Sequence, residues 1–145
     1  MKVIMLDGKS RSGKTTTLNY LYEAMVAPDG KNIIHPKTQV GANPEDFECV
    51  LEYDGKKVAI FTMGDIMVEV NHAMSFYEGM DCDVLVCASN DRFATRKNRL
   101  SRYPGSLLVP KSVADSGDED DEWLKNETDK KEIISLIKTI NNLSS

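Results

Sequence analysis

The sequence predicts an α/β domain built on a mostly parallel sheet of about five strands with one antiparallel edge hairpin. Short apolar runs alternate with amphipathic segments, the order expected of strands joined by helices. The run DVLVCA at 83–88 is continuously apolar after Asp83, as is typical of a parallel strand covered on both faces. Two strand-like runs at 47–53 and 57–63 flank Asp54-Gly55, a favoured turn for an antiparallel hairpin.

The amino-terminal part begins with a strand at 3–6 and a helix at 14–25. Leu18 and Leu21 recur in that helix at helical spacing. Residues 28–46 are polar and contain three prolines, so this stretch is predicted to be a long loop.

The carboxyl-terminal part is predicted to end in an amphipathic helix. The elements expected between the hairpin and that helix are a helix at 66–77, the strand at 83–88, a helix at 92–102 and a strand at 106–109. An acidic loop is expected at 114–127 and the amphipathic helix at 128–143. We expect Trp123, the single tryptophan, to dock this helix.

The bulk composition predicts one soluble domain over residues 1–145. A net charge of −5 makes general binding to nucleic acid unfavourable, and no apolar run approaches the ~18 residues of a membrane span. The three cysteines lack C-x-x-C spacing, which predicts neither a disulfide framework nor a zinc site. Buried, reduced thiols and a cytoplasmic location are expected.

The segment GKSRSGKT, Gly8 to Thr15, fits the pattern G-x-x-x-x-G-K-[ST]. Glycine at positions 8 and 13 permits close backbone approach, so that successive N–H groups form a nest for anions. Lys14 is predicted to reach the β- and γ-phosphates and to be catalytic by stabilising charge on the γ-phosphate in the transition state, and Thr15 is predicted to bind Mg²⁺ through its hydroxyl. The residues predicted to contact phosphates are Gly8, Lys9, Ser10, Arg11, Ser12, Gly13, Lys14, Thr15 and Thr16.

With this motif between a strand and a helix, the chain resembles the P-loop NTPase superfamily. The resemblance implies a three-layer sandwich that binds a nucleoside triphosphate with Mg²⁺ and hydrolyses or transfers the γ-phosphate. ATP is favoured over GTP, because VPKSVAD at 109–115 lacks the N-K-x-D motif with which small GTPases read guanine.

A second part of the site is predicted after the hairpin. Phe61-Thr62-Met63-Gly64-Asp65 is similar to the D-T-A-G-Q segment of small GTPases, with Phe61 in place of the acidic residue. The similarity implies that the Gly64 N–H binds the γ-phosphate and that Asp65 is catalytic, binding the metal or orienting the nucleophile. The alternative is that Asp65 caps the next helix.

Two weaker candidates are Glu69 and Thr38. Glu69 lies one helical turn beyond Asp65, where an exposed glutamate is common. Thr38 belongs to HPKT, which is similar to the loop threonine that small GTPases place on Mg²⁺. The alternative for Thr38 is an ordinary loop residue.

A basic row follows the strand at 83–88. Arg92, Arg96 and Arg99 are spaced to share one helical face and to bind phosphates, and they resemble the lid arginines of small nucleoside and nucleotide kinases. Arg92 is the strongest candidate for nucleotide contact. The alternative is a solvated basic face balanced by the acidic segment at 114–122.

Three functions remain open from the sequence. The first is an NTPase switch or energy module with a protein partner at residues 28–46. The second is a kinase for a nucleoside, nucleotide or other small acceptor, which would use the arginine row. The third is a non-catalytic nucleotide-binding or partner-binding module.

Overall fold

The computed structural model describes residues 1–64, 67–90, 100–115 and 118–140, with the side chains of residues 67 and 68 outside that description. Six strands and three helices lie within these residues. Their bounds are β1 (Lys2–Gly8), α1 (Lys14–Met25), β2 (Ile33–Gln39), β3 (Phe47–Tyr53), β4 (Lys56–Phe61), α2 (Met67–Gly79), β5 (Val84–Asn90), β6 (Leu107–Pro110) and α3 (Glu119–Thr139).

The six strands form one sheet in the order β2-β3-β4-β5-β1-β6. The pairs β4-β5, β5-β1 and β1-β6 are parallel, whereas β2-β3 and β3-β4 are antiparallel. Strand β5 therefore separates β1 from β4. Because β3 runs antiparallel to β4, it begins at the edge of the sheet where β4 and the strands parallel to β4 end.

Helices cover both faces of the sheet, which confirms the predicted α/β class. Side chains alternate along each strand, so that Ile4 and Leu6 pack with α1 and α3 while Val3 and Met5 pack with α2. All four are fully buried. Each such aliphatic side chain contributes about 1.5–3 kcal/mol to folding by leaving water.

The β3–β4 hairpin is confirmed. Asp54 and Gly55 have φ values of 53° and 73°, the two positive angles that a type I′ turn requires. The predicted helix at 14–25 is also confirmed in place. The three cysteines are buried and free, as expected. Within the described residues, no helix combines the length and the apolar character needed to cross a membrane.

The prediction of a loop over 28–46 is wrong in its centre, where β2 forms and brings the sheet to six strands instead of the five expected. Six of its seven residues are exposed, it contains Pro36, and its pairing with β3 has two register shifts. An edge strand pairs on one side only and tolerates proline. It therefore carries none of the apolar alternation that identifies a half-buried strand.

The expected acidic loop at 114–127 is also wrong from Glu119 onward, because α3 begins there. Asp118 caps the helix by accepting hydrogen bonds from the N–H groups of Asp120 and Asp121. Four acidic residues fill the first turn, where the helix dipole favours negative charge. The helix ends at Thr139, and the expected continuation to 143 reaches residues outside the described part.

Candidate functional site

A cleft of about 760 Å³ lies at the edge of the sheet where β1, β4 and β6 end. The segment from Gly8 to Thr15, here called the phosphate-loop segment after its sequence pattern, and the start of α1 form the floor of the cleft. The loop before β3, the residues after β4 and β6, and the first turns of α3 form its sides. The lining comes from five segments: 11–20, 43–46, 62–64, 111–114 and 119–126.

The loop from Gly8 to Gly13 needs both of its glycines. A Cβ on Gly13, whose φ is +96°, would lie 2.7 Å from Asn126 Oδ1. A Cβ on Gly8 would lie 2.9 Å from the Cβ of Lys111. Both distances are too short for a side chain, so the loop packs directly on α3 and on the end of β6. The close backbone approach that glycine permits at these two positions is therefore used here to pack the loop against other parts of the protein.

Helix α1 starts at the cleft and points its amino terminus into it. Gly13 is the N-cap and has no side chain to cap the helix, and the first turn contains no acidic residue. The first N–H groups of any α-helix have no acceptor within the helix, and they carry the positive end of the dipole. The position therefore suits an anion.

Lys14 brings a positive charge to the same place. Its Nζ donates hydrogen bonds to the carbonyl oxygens of Gly8 at 2.7 Å and Lys9 at 2.8 Å. Only 7% of the residue is exposed. The ammonium group is thus held against the loop backbone rather than projecting into solvent.

A carboxylate that sequence reasoning missed, Asp46, faces Thr15 across the cleft. Its Oδ1 accepts hydrogen bonds from Thr62 Oγ1 at 2.8 Å and Thr15 Oγ1 at 3.2 Å. The Thr62 hydroxyl also accepts the Phe47 N–H at 2.9 Å. Asp46 is thereby held between the start of α1 and the end of β4. The available signal was its position immediately before an antiparallel strand.

The oxygens of Thr15 and Asp46 fit a magnesium ion. Mg²⁺ binds six oxygens octahedrally at about 2.0–2.1 Å, which puts neighbouring ligands roughly 2.9 Å apart. The observed separation of Thr15 Oγ1 and Asp46 Oδ1 is 3.2 Å. Mg²⁺ in nucleotide sites takes one or two carboxylates and completes its shell with phosphates and water. Among the described residues, no group of three or more His, Cys, Asp or Glu side chains is arranged for metal binding.

Asn90, at the end of β5, connects the two predicted parts of the site. Its Nδ2 donates to Ser10 Oγ at 2.9 Å, and its N–H donates to the Gly64 carbonyl at 3.2 Å. The residue is buried. Because β5 lies between β1 and β4, Asn90 sets the position of the phosphate loop relative to Gly64.

A buried polar network fixes α3 as the opposite wall. Lys111 Nζ lies 2.9 Å from Asp129 Oδ2, and both side chains are 1% exposed. Ser112 donates its N–H and its hydroxyl to the same carboxylate at 2.8 and 2.7 Å. One helical turn away, Asn126 Oδ1 accepts the Thr17 hydroxyl of α1 at 3.2 Å. The wall is therefore attached to both β6 and α1.

The predicted site residues divide into three groups. Those that line the cleft are Arg11, Ser12, Gly13, Lys14, Thr15, Thr16 and Gly64. Gly8, Lys9, Ser10 and Thr38 are not among the lining residues. Thr38 lies in β2, donates to the Pro36 carbonyl and lines a separate pocket of about 150 Å³. Those outside the described residues are Asp65, Arg92, Arg96 and Arg99.

Two further expectations concern helical side chains. Glu69 is exposed in α2 and is not among the residues that line the cleft. The expectation that Trp123 docks the C-terminal helix is wrong, because Trp123 belongs to α3 itself, is 55% exposed and lines the cleft.

Comparisons with family models, curated protein sequences and solved structures found no match. The function therefore has to be inferred from the chemistry of the cleft.

Proposed function

We propose that the protein binds a magnesium nucleoside triphosphate, with ATP favoured, in the 760 Å³ cleft and hydrolyses its γ-phosphate. The observation that carries the proposal is the convergence of Lys14, Thr15 and Asp46 on one helix amino terminus. A cation there can stabilise the negative charge of the phosphates, and a hydroxyl and a carboxylate there can bind the metal ion.

The phosphate chain has two sources of stabilisation. The first N–H groups of α1 donate to phosphate oxygens along the direction of the helix dipole. Lys14 supplies a full positive charge that moves from the loop carbonyls of Gly8 and Lys9 to the β- and γ-phosphates. The hydrogen bonds that Lys14 gives up, in which only the donor is charged, are replaced by bonds in which both the donor and the acceptor are charged.

Magnesium would be held by Thr15 and Asp46, with phosphate oxygens and water as its remaining ligands. Thr62 orients the Asp46 carboxylate through its 2.8 Å hydrogen bond. Asp46 thus supplies the acidic group that the sequence predicted at Asp65. Asp65 stays a candidate for orienting the nucleophile.

In hydrolysis, a water oxygen forms a bond to the γ-phosphorus while the bond from that phosphorus to the β–γ bridging oxygen breaks. The products are the nucleoside diphosphate and inorganic phosphate. Negative charge grows on the bridging oxygen and the γ-oxygens, where Lys14 stabilises it and a bound magnesium ion would supply further positive charge. A kinase would use an acceptor hydroxyl instead of water, aided by Arg92, Arg96 and Arg99.

The test is a thermal-shift titration with ATP, GTP and inorganic tripolyphosphate, each with and without Mg²⁺. A ligand at 100 times its Kd stabilises the native state by about 2.7 kcal/mol. For 145 residues the unfolding entropy is about 0.3 kcal/mol/K, so the expected rise in Tm is about 9 °C. Phosphate release measured in parallel distinguishes hydrolysis from binding alone.

Two variants assign the effect to the cleft. Lys14→Ala should abolish most of the shift, and Asp46→Asn should remove only the part that depends on Mg²⁺. Lys31→Ala is the control, because this lysine side chain is 85% exposed and lies outside the cleft lining. A Lys14→Ala variant that binds every ligand like the wild type would refute the proposal. ATP binding without phosphate release would refute hydrolysis and leave a nucleotide-binding module.

A further inference from the structure

The buried stripe of α3 continues beyond the core and into the cleft. Its positions recur every three or four residues, the spacing of one helical face. The buried members of the stripe are Asn126, Asp129, Ile133, Ile137 and Ile140. The next position toward the amino terminus is Trp123, which lines the cleft and is 55% exposed. An aromatic side chain on the inward face of the helix is thus covered only in part by the protein.

We propose that Trp123 is the platform on which the base of the bound nucleotide stacks, an inference that rests on the proposed function. An indole ring offers a flat apolar face of the size of a nucleobase, and every base has a π-face that stacks on aromatic side chains. Val113, which follows β6 and is 70% exposed, lines the same cleft and adds apolar surface.

The charges of the cleft set the direction of the nucleotide. The phosphates belong at the start of α1, beside Lys14 and Thr15. The charged residues of α3 that line the cleft on the same side as Trp123 are Glu119, Glu122 and Lys125. Lys125 lies 3.9 Å from Asp121 in an ion pair, so the two glutamates leave this wall net negative, which repels a phosphate chain but not a neutral base. The base end of the nucleotide is therefore the end that reaches α3.

The platform is rigidly positioned relative to the phosphate loop. Trp123 is three residues from Asn126, which is about 4.5 Å along the helix axis. Asn126 packs against Gly13 and accepts the Thr17 hydroxyl. The ion pair between Asp129 and Lys111 fixes the next turn of α3. The helix turn that carries Trp123 is therefore organised before the ligand arrives, which reduces the ordering entropy lost on binding.

The test uses the tryptophan as its own reporter, since the chain contains only one. ATP and inorganic tripolyphosphate are titrated in the presence of Mg²⁺ into wild type, Trp123→Ala and Trp123→Phe. Affinities come from calorimetry, and wild-type binding is also followed by fluorescence. We expect ATP, but not tripolyphosphate, to quench the fluorescence. Trp123→Ala should weaken ATP binding about 5- to 150-fold, leave tripolyphosphate binding unchanged, and be largely rescued by Trp123→Phe.

The matched control is Leu124→Ala, which removes an exposed apolar side chain from the same helix outside the cleft lining. It should leave both affinities unchanged. Equal affinity of wild type and Trp123→Ala for ATP, or equal quenching by the two ligands, would overturn the stacking proposal while tripolyphosphate binding upheld the phosphate site. Failure of both ligands to bind wild type would instead overturn the proposed function, and the base site with it.

Discussion

Removing one partner of the ion pair between Lys111 and Asp129 should cost more stability than breaking any exposed pair in the described structure. Its two charges lie 2.9 Å apart and both side chains are 1% exposed. The remaining acceptor capacity of Asp129 is used by the Ser112 N–H and hydroxyl. Asp129→Asn keeps the shape and removes the charge, which leaves the ammonium group of Lys111 buried without its counter-ion.

Breaking one side of a buried ion pair costs about 3–5 kcal/mol. With an unfolding entropy of about 0.3 kcal/mol/K for 145 residues, Tm should fall by about 10–16 °C. The control is Lys31→Gln, which breaks a pair with Asp29 whose side chains are 85% and 56% exposed. An exposed pair contributes about 0–1 kcal/mol, so Tm should fall there by no more than about 3 °C.

The assay is urea unfolding and thermal unfolding followed by circular dichroism. If Asp129→Asn is too unstable to purify, the double variant Lys111→Met with Asp129→Asn removes both charges and should recover most of the loss. The reasoning fails if Asp129→Asn costs no more than Lys31→Gln. It also fails if the double variant is as unstable as the single one, since the cost would then come from lost shape and hydrogen bonds.

Two further predictions concern packing and pH. A Cβ on Gly64 would lie 2.3 Å from the carbonyl group of Ala88, so Gly64→Ala should lower the free energy of unfolding by about 1–3 kcal/mol. The control is Gly79→Ala, because a Cβ on Gly79 would have no atom within 4 Å. Equal Tm values for the two variants would contradict this explanation. Burial raises the pKa of the Cys87 thiol from 9.0 to about 12. The contribution of the protonated, buried thiol to stability is therefore fully present below pH 9 and is lost as the pH rises toward 12. Cys87 alone should lower the free energy of unfolding by about 1.4 kcal/mol per pH unit in that range, and Cys87→Ala should have an alkaline unfolding profile that is shallower by that amount.

Features with local signals were predictable from the sequence. Strands covered on both faces are apolar throughout, so the run at 83–88 predicted β5 within two residues at each end. The Asp54-Gly55 turn predicted the hairpin, because few other dipeptides accept two positive φ angles. Residues 11–16 of the predicted phosphate-binding segment line the cleft, because loops that follow parallel strands gather at one edge of the sheet; that these residues bind phosphate stays a prediction.

Features that depend on distant partners were not predictable in this way. β2 is recognisable only from its pairing with β3, because its own side chains are exposed. The start of α3 lies in an acidic segment whose composition suits a solvated loop equally well. The helix forms because Asp118 caps it and because Asp129 meets Lys111 at the end of β6. The same contacts of the helix place Trp123 at the cleft.

Asp46 is the residue for which the topology matters most. In the usual pattern the metal-binding carboxylate follows a parallel strand, but Phe61 stands at the end of β4. Because β3 runs antiparallel to β4, the residue just before β3 occupies the same edge, next to Thr62. A metal ligand can therefore come from the beginning of one strand as well as from the end of its neighbour. If Asp46 has this role, Asp46→Asn should weaken ATP binding only when Mg²⁺ is present, whereas equal weakening without the metal would assign Asp46 a structural role through Thr62.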